Sequence, residues 1–316
     1  MDTPQIVILT GPTATGKTAL AIEFAIRYGA EIISADSRQV YRYLDIGTAK
    51  PTPEQRAAVP HHLIDVVNPD EQFDGARFRT HAIQVIQHAR QRGTRILVVG
   101  GTGLYLRALT RGLFHGPPAD PPLRAQLQEQ ERTEGKGVLH RWLSNVDPPT
   151  ALRLHPHDLV RQIRALEVFL LTGVPMSRWQ QEHGFRERPF STMTISLVYE
   201  RDTLHRRIEA RCQQMIRDGL LEELRQVWAI GYDPALPVFQ TIGYAQMGAL
   251  LQGRLGYEDA LTQMATETKR LAKRQLTWLR AEPDVQWFSP RQEREIATAL
   301  ETFWNEGHRA NDILGI

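Results

Sequence analysis

The chain has 316 residues, with 38 Lys and Arg against 36 Asp and Glu, and a net charge of +2 with histidine neutral. Hydrophobic residues make up 41% of it and charged residues 23%, which provides a core and excludes disorder over the bulk of the chain. The single cysteine, Cys212, excludes an intrachain disulfide framework and a multi-cysteine zinc site. Taken alone, the near-neutral charge argues against a nucleic-acid partner.

The N-terminal stretch contains an acidic residue, Asp2, and only a short apolar run before Gly11, unlike a secretory signal. The longest apolar runs are far below the roughly 18 residues that a membrane-spanning helix needs. We therefore expect a cytoplasmic protein with no membrane partner.

The first third of the chain alternates short apolar runs with helical patterns. Helices are predicted at residues 18–28 and 75–91, and strands at 6–10, 31–35, 62–66 and 95–99. Strands that alternate with helices predict an α/β fold with a parallel sheet covered on both faces.

The pattern changes near residue 114. Residues 115–122 are rich in proline, and residues 123–185 show helical patterns with little strand character. Further strands are predicted at 192–199 and 285–288, within an otherwise helical remainder. The sequence thus predicts a discontinuous core, 1–114 with 190–306, a mostly α-helical insertion domain at 115–189, and a loose tail at 307–316.

A glycine-rich segment follows the first predicted strand and matches G-x-x-x-x-G-K-[ST]. Backbone amides of such a loop, and the helix N-terminus behind it, attract an anion. Lys17 would reach the terminal phosphates and Thr18 would place its hydroxyl on Mg²⁺. The core is therefore predicted to be a P-loop NTPase-like parallel sheet that binds a di- or triphosphate through Gly11, Pro12, Thr13, Ala14, Thr15, Gly16, Lys17 and Thr18.

Asp36 closes the second predicted strand. A typical P-loop NTPase carries a metal-binding acid after an apolar strand, but residues 95–99 are followed by Gly-Gly-Thr. Parallel strands should bring Asp36 to the same sheet edge as the phosphate loop. A carboxylate there can bind metal or accept a proton, and it can equally form a turn or cap a helix. Its position alone leaves these alternatives open.

Several motifs resemble those of the tRNA dimethylallyltransferase family, also called tRNA isopentenyltransferases. In chain order they are GPTATGKTALA, ISADSRQVYRYLDIGTAKP, VVGGTGLYLRAL, HPHDLVRQIRALEV, RDTLHRRIEARCQQMIRDGLLEE, QTIGYAQM and TKRLAKRQLTWLR. The resemblance spans residues 5–288. It implies transfer of a dimethylallyl group from dimethylallyl diphosphate to N6 of adenosine 37 in the tRNA anticodon loop, giving N6-dimethylallyladenosine and diphosphate.

The resemblance also implies roles for individual residues. Asp36 matches the general base, Thr102 matches a residue at the reaction centre, and Lys17 would neutralise the leaving diphosphate with Mg²⁺ held at Thr18. The partner would be the anticodon stem-loop of a tRNA, and the protein is expected to be a monomer. The implied tRNA contacts are Asp36, Ser37, Arg38, Gln39, Thr102, Arg124, Val160, Arg161, Gln162, Ile163, Arg164, Gln240, Thr241, Ile242, Gly243, Tyr244, Ala245, Lys273, Arg274, Gln275, Leu276, Thr277, Trp278, Leu279 and Arg280.

The basic segment near the C-terminus has two interpretations from its residues alone: a solvated helix face or an RNA contact. No acid interrupts it between Glu267 and Glu282. A local cationic patch of this kind is compatible with a net charge of +2 and with an RNA partner. Its cations are Lys269, Arg270, Lys273, Arg274 and Arg280.

Two other functions are alternatives to tRNA prenylation. A nucleotide-kinase-like enzyme, or an adenylate isopentenyltransferase acting on free nucleotides, would need neither the helical insertion nor the basic segment. A non-catalytic P-loop protein that binds RNA would not need the pair Lys17 and Asp36. The sequence favours the tRNA-modifying enzyme over both.

Overall fold

The computed structural model describes the backbone of residues 3–314 and the side chains of residues 3–306. The chain divides into two compact units. The core unit comprises Met1–Thr110 and Pro189–Ile316, and the insertion unit comprises Arg111–Arg188. Both boundaries lie within a few residues of those drawn from the sequence.

The core unit is built on a six-stranded parallel sheet. Its strands are β1 (Gln5–Thr10), β2 (Ala30–Ser34), β3 (His61–His62), β4 (Arg95–Val99), β5 (Ser191–Leu197) and β6 (Val285–Phe288). They lie in the order β3-β2-β4-β1-β5-β6, with β1 near the centre. The predicted α/β class with a parallel, P-loop-like sheet is confirmed.

Helices follow the strands in the core unit and make up the insertion unit. In chain order they are α1 (Lys17–Tyr28), α2 (Pro53–Ala58), α3 (Gly75–Gln91), α4 (Gly103–Arg111), α5 (Pro121–Thr133), α6 (Val138–Val146), α7 (Pro148–Arg153), α8 (Leu159–Thr172), α9 (Met176–His183), α10 (Arg201–Arg217), α11 (Leu220–Ala229), α12 (Tyr244–Leu251), α13 (Tyr257–Arg280) and α14 (Glu293–Leu314).

Alternation along β1 explains why helices cover both faces of the sheet. Ile6 and Ile8 point to a core that includes Phe78 of α3, whereas Val7 and Leu9 point to a core that includes Phe24 of α1. Successive side chains of a strand face opposite sides, so an uninterrupted apolar run needs cover on both. A third core, around α10 to α13, lies beside the sheet.

Two local features differ from the sequence prediction. The strand expected at 62–66 is reduced to His61–His62, because Leu63 and Asp65 take left-handed φ angles of 64° and 57° that end the extended run. Helix α2 was not predicted. It carries a capping box, in which Thr52 accepts from the Gln55 amide and the Gln55 side chain accepts from the Thr52 amide, and this pattern was readable in the sequence.

The insertion unit packs its helices around an aliphatic core that includes Leu139, Leu143 and Leu166. All of residues 111–188 are described, and none of them forms a strand. Helix α14 runs to Leu314, so the predicted loose tail at 307–316 overlaps its end and includes residues 315 and 316, which lie outside the described residues. Within residues 3–314, no helix has the length and apolar run that spanning a membrane requires.

Candidate active site

The glycine-rich loop leads from the end of β1 into the first turn of α1. Gly11 has a φ of +136°, and a Cβ there would lie 2.5 Å from the Leu197 carbonyl oxygen of β5. Gly16, just before α1, has a φ of +91°. Both conformations favour glycine, because a side chain would clash or be strained. The loop therefore lies between a strand and a helix, as the motif predicted.

A cavity of about 840 Å³ lies beside this loop within the core unit. Ends of β2 and β4, the segment 240–242 and helices α10 and α13 also line it. The predicted site residues that line it are Thr13, Ala14, Gly16, Lys17, Thr18, Asp36, Ser37, Arg38, Gln39, Thr102, Gln240, Thr241, Ile242, Tyr244, Arg274 and Gln275. The carboxyl edge of the parallel sheet thus brings together loops from distant parts of the chain, as expected for this fold class.

Lys17 lies on the wall of the cavity. Its Nζ donates to the carbonyl oxygens of Gly11 and Pro12 at 2.9 and 2.8 Å. Burial and the neighbouring Arg211 lower the pKa of Lys17 to about 7, while Asp36 opposes that shift. A bound anion would relieve the repulsion between the two cations, so the cavity is suited to a diphosphate.

Arg211 and Arg207 of α10 were missed by the sequence reasoning. Arg211 lines the cavity, and burial lowers its pKa while the Asp36 carboxylate opposes the change. Arg207 donates from Nε to the Ala14 carbonyl oxygen at 2.9 Å, and its guanidinium lies 4.8 Å from the ring centre of Tyr199. Their spacing of four residues places them on one face of a helix, which is the signal that the sequence offered.

Asp36 follows β2 and lines the cavity. One carboxylate oxygen, Oδ1, accepts from the Arg38 amide at 2.8 Å, so the turn-forming role that was left open is realised. This hydrogen bond fixes the carboxylate without excluding a second role, because the group has further lone pairs. The carboxylate also interacts electrostatically with Lys17 and Arg211.

Thr102 ties the end of β4 to the end of β2. Its hydroxyl accepts from the Ser37 amide at 3.0 Å, and its own amide donates to the Ala35 carbonyl oxygen at 3.2 Å. A Cβ on Gly100 would lie 2.2 Å from that same Ala35 oxygen, so the two strand ends meet backbone to backbone. The threonine side chain is thereby held beside Asp36.

Gln39 is engaged inside the protein at both ends of its amide. Its Oε1 accepts from the Ser34 hydroxyl at 2.9 Å, and its Nε2 donates to the carbonyl oxygens of Thr48 and Ala49 at 3.3 and 3.2 Å. A direct hydrogen bond to tRNA through this amide would require these contacts to exchange. Gln39 therefore holds the loop at 48–49, which also lines the cavity.

Tyr244 is a correction to the predicted tRNA contacts. Its side chain is 1% exposed, its hydroxyl donates to Glu223 at 2.6 Å, and its ring packs against Gly47. Burial and Glu223 raise the pKa of Tyr244 well above its usual value. The ring thus holds the cavity wall together, and its placement leaves no side-chain surface for RNA.

The basic segment of α13 divides into two groups. Lys269 pairs with Glu209 and Arg270 pairs with Glu267, each at 2.5 Å. Lys273, Arg274 and Arg280 are exposed, and the ion pairs found among residues 3–306 include none of these three. Within this basic segment, the cations that can bind a phosphate without breaking an ion pair therefore lie in the last two turns of α13.

Apolar and aromatic residues of the same helix face inward. Trp278 packs on Gly103, where a Cβ would lie 2.6 Å from its indole, and the Arg107 guanidinium lies 5.5 Å from its ring centre. Leu279 is 1% exposed. The prediction of a tRNA contact is corrected for the side chain of Leu279, which is buried. Trp278 is only partly buried, so its tRNA contact stays a prediction. The other predicted core-unit residues outside the cavity wall are Gly11, Pro12, Thr15, Gly243, Ala245, Lys273, Leu276, Thr277 and Arg280.

The insertion unit contains the remaining predicted tRNA contacts. Arg124 of α5 binds Glu167 through two hydrogen bonds of 2.7 and 2.8 Å, and Arg164 reaches the same carboxylate at 2.5 Å. Burial would raise the pKa of Glu167, but hydrogen bonds from Arg124, the Asp120 amide and Arg164 outweigh it and lower the pKa to about 2. Both arginines thus stabilise this unit, and the single carboxylate of Glu167 compensates half of their combined charge.

The segment 160–164 presents two different faces. Val160 is 80% exposed, and Arg161 is exposed beside Asp158 at 2.9 Å. Gln162 and Ile163 are buried, and Gln162 donates to the carbonyl oxygens of His155 and Pro156. The prediction of tRNA contacts is therefore corrected for the side chains of Gln162 and Ile163, and it stays a prediction for Val160 and Arg161.

A metal would find few protein ligands here. Within the described residues, no group of three or more His, Cys, Asp or Glu side chains is arranged to hold an ion. Thr18 lines the cavity, so its hydroxyl can contribute one oxygen. This donor set fits Mg²⁺ bound chiefly through substrate phosphates and water, which is the usual mode for that ion.

The sheet order and the phosphate loop define a P-loop α/β protein whose cavity suits a diphosphate beside a carboxylate. The model of one protein family, IPP transferase, matches residues 39–282. The chain belongs to the IPP transferase family, and the resemblance noted from its motifs is confirmed.

Named relatives agree with this assignment. The chain is 50% identical over 296 residues to tRNA dimethylallyltransferase 2 of Syntrophus aciditrophicus, covering 94% of this chain and 95% of the relative. Among solved structures, the tRNA isopentenylpyrophosphate transferase of Bacillus halodurans has a TM-score of 0.72 and 36% identity, covering 98% and 100% of the two chains. A eukaryotic dimethylallyltransferase acting on tRNA has a TM-score of 0.77 and 27% identity, covering 96% and 80%.

Proposed function

We propose that this chain is a tRNA dimethylallyltransferase that transfers a dimethylallyl group from dimethylallyl diphosphate to N6 of adenosine 37 in the anticodon loop. The products are N6-dimethylallyladenosine and diphosphate. The observation that carries the proposal is the presence of Lys17 and Asp36 on the wall of one cavity, in a chain of this family. A tRNA substrate also favours a cytoplasmic location.

The diphosphate of the donor would lie in the glycine-rich loop. Lys17 and Arg211 line the cavity beside it, and the N-terminus of α1 points toward it. As the bond between C1 and the bridging oxygen breaks, negative charge develops on the diphosphate. Cations already in place stabilise that charge where it forms, and in many enzymes such stabilisation supplies most of the rate enhancement.

The adenine amine attacks C1 of the dimethylallyl group. A new C1–N6 bond forms, the C1–oxygen bond breaks, and the electron pair leaves with diphosphate. Asp36 accepts the proton that N6 loses. An exocyclic amine is a weak nucleophile, so its attack requires a base that removes this proton. The hydrogen bond from the Ser37 amide holds the Thr102 hydroxyl next to Asp36, the proposed general base. From that position Thr102 can orient the incoming nucleotide.

Mg²⁺ is proposed as the cofactor, with Thr18 as a ligand. When bound, it would neutralise part of the diphosphate charge. The chain's own residues supply the rest of the neutralisation through Lys17 and Arg211. Because few protein ligands lie nearby, the affinity for the ion is expected to depend on diphosphate.

A tRNA stem-loop would be held by phosphate contacts and would extrude its target base. Lys273, Arg274 and Arg280 of α13 offer exposed positive charge for the backbone, and Arg274 also lines the cavity. Val160 and Arg161 offer an exposed apolar and cationic surface on the insertion unit. A kinase or a free-nucleotide prenyltransferase would need neither surface, so those alternatives are not favoured.

The test uses labelled dimethylallyl diphosphate with Mg²⁺ and three acceptors: an anticodon stem-loop with adenosine at position 37, the same stem-loop with guanosine there, and AMP. We expect label on the first acceptor alone, as N6-dimethylallyladenosine after digestion. Label on AMP would favour the free-nucleotide enzyme. Binding of the stem-loop without transfer to any acceptor would favour a non-catalytic RNA-binding protein.

A further inference from the structure

The side chain of Gln275 in α13 bridges two backbone segments that line the cavity. Its Oε1 accepts from the Thr13 amide of the glycine-rich loop at 2.9 Å, and its Nε2 donates to the Gly101 carbonyl oxygen after β4 at 3.1 Å. The two bonds use opposite ends of one amide, so one side chain sets the distance between two backbone segments. The resemblance to the family predicts a tRNA contact for Gln275.

The bridged segments carry different parts of the proposed reaction. Thr13 belongs to the loop for the leaving diphosphate. Gly101 precedes Thr102, whose hydroxyl accepts from the Ser37 amide beside the proposed base, Asp36. The chain of contacts therefore runs from the diphosphate loop through Gln275 to the segment that holds the base and the acceptor nucleotide.

The packing around Gln275 is close. A Cβ on Gly101 would lie 2.3 Å from Gln275 Nε2 and 3.4 Å from the Gly11 carbonyl oxygen. Trp278, one turn further along α13, packs on Gly103, so the helix is anchored where the glutamine reaches across. A side chain held in this way has a defined position, unlike a solvated residue waiting for RNA.

We propose that Gln275 is a positioning residue, which fixes the spacing between the diphosphate loop and the base and links both to the helix that carries the exposed cations. This inference rests on the proposed function. Reacting groups must be aligned closely, and a displacement of about 1 Å can cost roughly 100-fold in rate. A side chain that sets such a distance acts on turnover and on donor binding without touching the RNA.

Gln275→Met tests this role, because it keeps the length of the side chain and removes both hydrogen bonds. We expect kcat to fall by about 10- to 100-fold. Affinity of the free protein for Mg²⁺ and inorganic diphosphate, measured by calorimetry without RNA, should fall several-fold. The Kd for an anticodon stem-loop should be unchanged.

Lys273→Gln is the matched control on the same helix. It should weaken stem-loop binding and leave diphosphate binding by the free protein unchanged, which is the reverse pattern. Gly101→Ala is a second route to the same defect, because its Cβ displaces the Gln275 amide while the glutamine stays. It should reproduce the loss of diphosphate affinity even if Gln275→Met fails to fold.

The two proposals fail in different ways. If Gln275→Met weakens stem-loop binding and leaves diphosphate affinity intact, or changes neither, Gln275 is not a positioning residue. If the wild-type protein binds no diphosphate and transfers no label, the proposed function itself is wrong.

Discussion

Tyr244 and Glu223 share a hydrogen bond of 2.6 Å that joins the start of α12 to α11. The same carboxylate accepts from the amides of Asp45, Ile46 and Gly47 at 2.8, 2.7 and 3.2 Å. One charged side chain thus satisfies four donors and holds the loop that leads from the Asp36 segment along the cavity wall. The position of residues 45–47 therefore depends on a side chain that is distant in sequence.

Replacing Glu223 by Gln should therefore destabilise the protein. Either orientation of the new amide puts an NH₂ group against donors that need an acceptor, and hydrogen bonds to a charged group contribute about 1.5–3 kcal/mol. We expect Glu223→Gln to lower the free energy of unfolding by about 2–3 kcal/mol and Tyr244→Phe by about 1 kcal/mol in urea titrations. Glu222→Gln, at an exposed neighbour, should have little effect, and equal stability of all three variants would contradict this role.

Asp36→Asn separates the two roles of that side chain. An asparagine oxygen can still accept from the Arg38 amide, so the turn should survive, but the amide cannot take a proton from the nucleophile. We expect kcat to fall by about 100- to 10,000-fold while stem-loop affinity is retained. Asp36→Ala should lose the turn as well and melt at a lower temperature. Parallel loss of activity and RNA binding in Asp36→Asn would reject the base assignment.

Binding of diphosphate should be coupled to proton uptake by Lys17. In the free protein the pKa of Lys17 is about 7, and an adjacent anion favours the charged ammonium. Diphosphate affinity should therefore fall as the pH rises above about 7, since the neutral amine must first be protonated. Calorimetry at about pH 8 in two buffers of different ionisation enthalpy measures this uptake. Lys17→Arg should bind without it, because a guanidinium stays protonated.

The same shift makes the stability of the free protein depend on pH. The pKa of Lys17 is lower in the folded protein than its ordinary value of 10.5, so between about pH 7 and 10.5 the unfolded chain holds more protons. Stability should rise with pH across that window, as far as this group contributes. In thermal unfolding, the melting temperature of Lys17→Met should rise less with pH than that of the wild-type protein. Identical pH dependence of the two melting temperatures would contradict the lowered pKa of Lys17.

The salt dependence of RNA binding should distinguish the two groups of cations on α13. Removing one phosphate contact reduces the slope of log K against log salt by roughly 0.7–0.9. We expect Lys273→Gln combined with Arg280→Gln to flatten the slope by about 1–2 units. Lys269→Gln combined with Arg270→Gln should change it less, because Glu209 and Glu267 already neutralise those charges. Equal changes in the two double variants would mean that the internal ion pairs do not matter for binding.

Glu167 should control the acid stability of the insertion unit. Its pKa falls from an ordinary 4.5 to about 2 on folding, so its contribution is complete above about pH 4.5 and is lost as the pH falls toward 2. This shift corresponds to about 3 kcal/mol. Glu167→Gln should destabilise the protein by about 3 kcal/mol at neutral pH, because it leaves Arg124 and Arg164 without their shared anion. Acid unfolding, monitored by the fluorescence of Trp142 and Trp179, measures the contribution of Glu167. An acid transition of Glu167→Gln at the same pH as that of the wild-type protein would contradict this role.

Local patterns in the sequence were sufficient for much of the fold. A run of β-branched residues placed β4 at its observed bounds, and the spacing of apolar residues did the same for α3. The strand predicted at 285–288 also has the observed bounds of β6. The phosphate loop was equally clear, because its glycines and lysine are close in sequence and meet a local backbone requirement. Parallel pairing then predicted correctly that Asp36 would lie at the edge of the sheet that bears the loop.

Only the tertiary structure decided which side chains are available to act. Arg124 and Glu167 are 43 residues apart, and Lys269 and Glu209 are 60 apart, so no local pattern reveals that these charges are paired. The burial of Tyr244 and the place of Arg211 in the cavity likewise depend on how α10 to α13 pack together. The sequence by itself determined most of the elements and the chemistry of the phosphate loop, because both depend on near neighbours. Packing decided which cations face the cavity, because charge compensation and burial depend on neighbours in space.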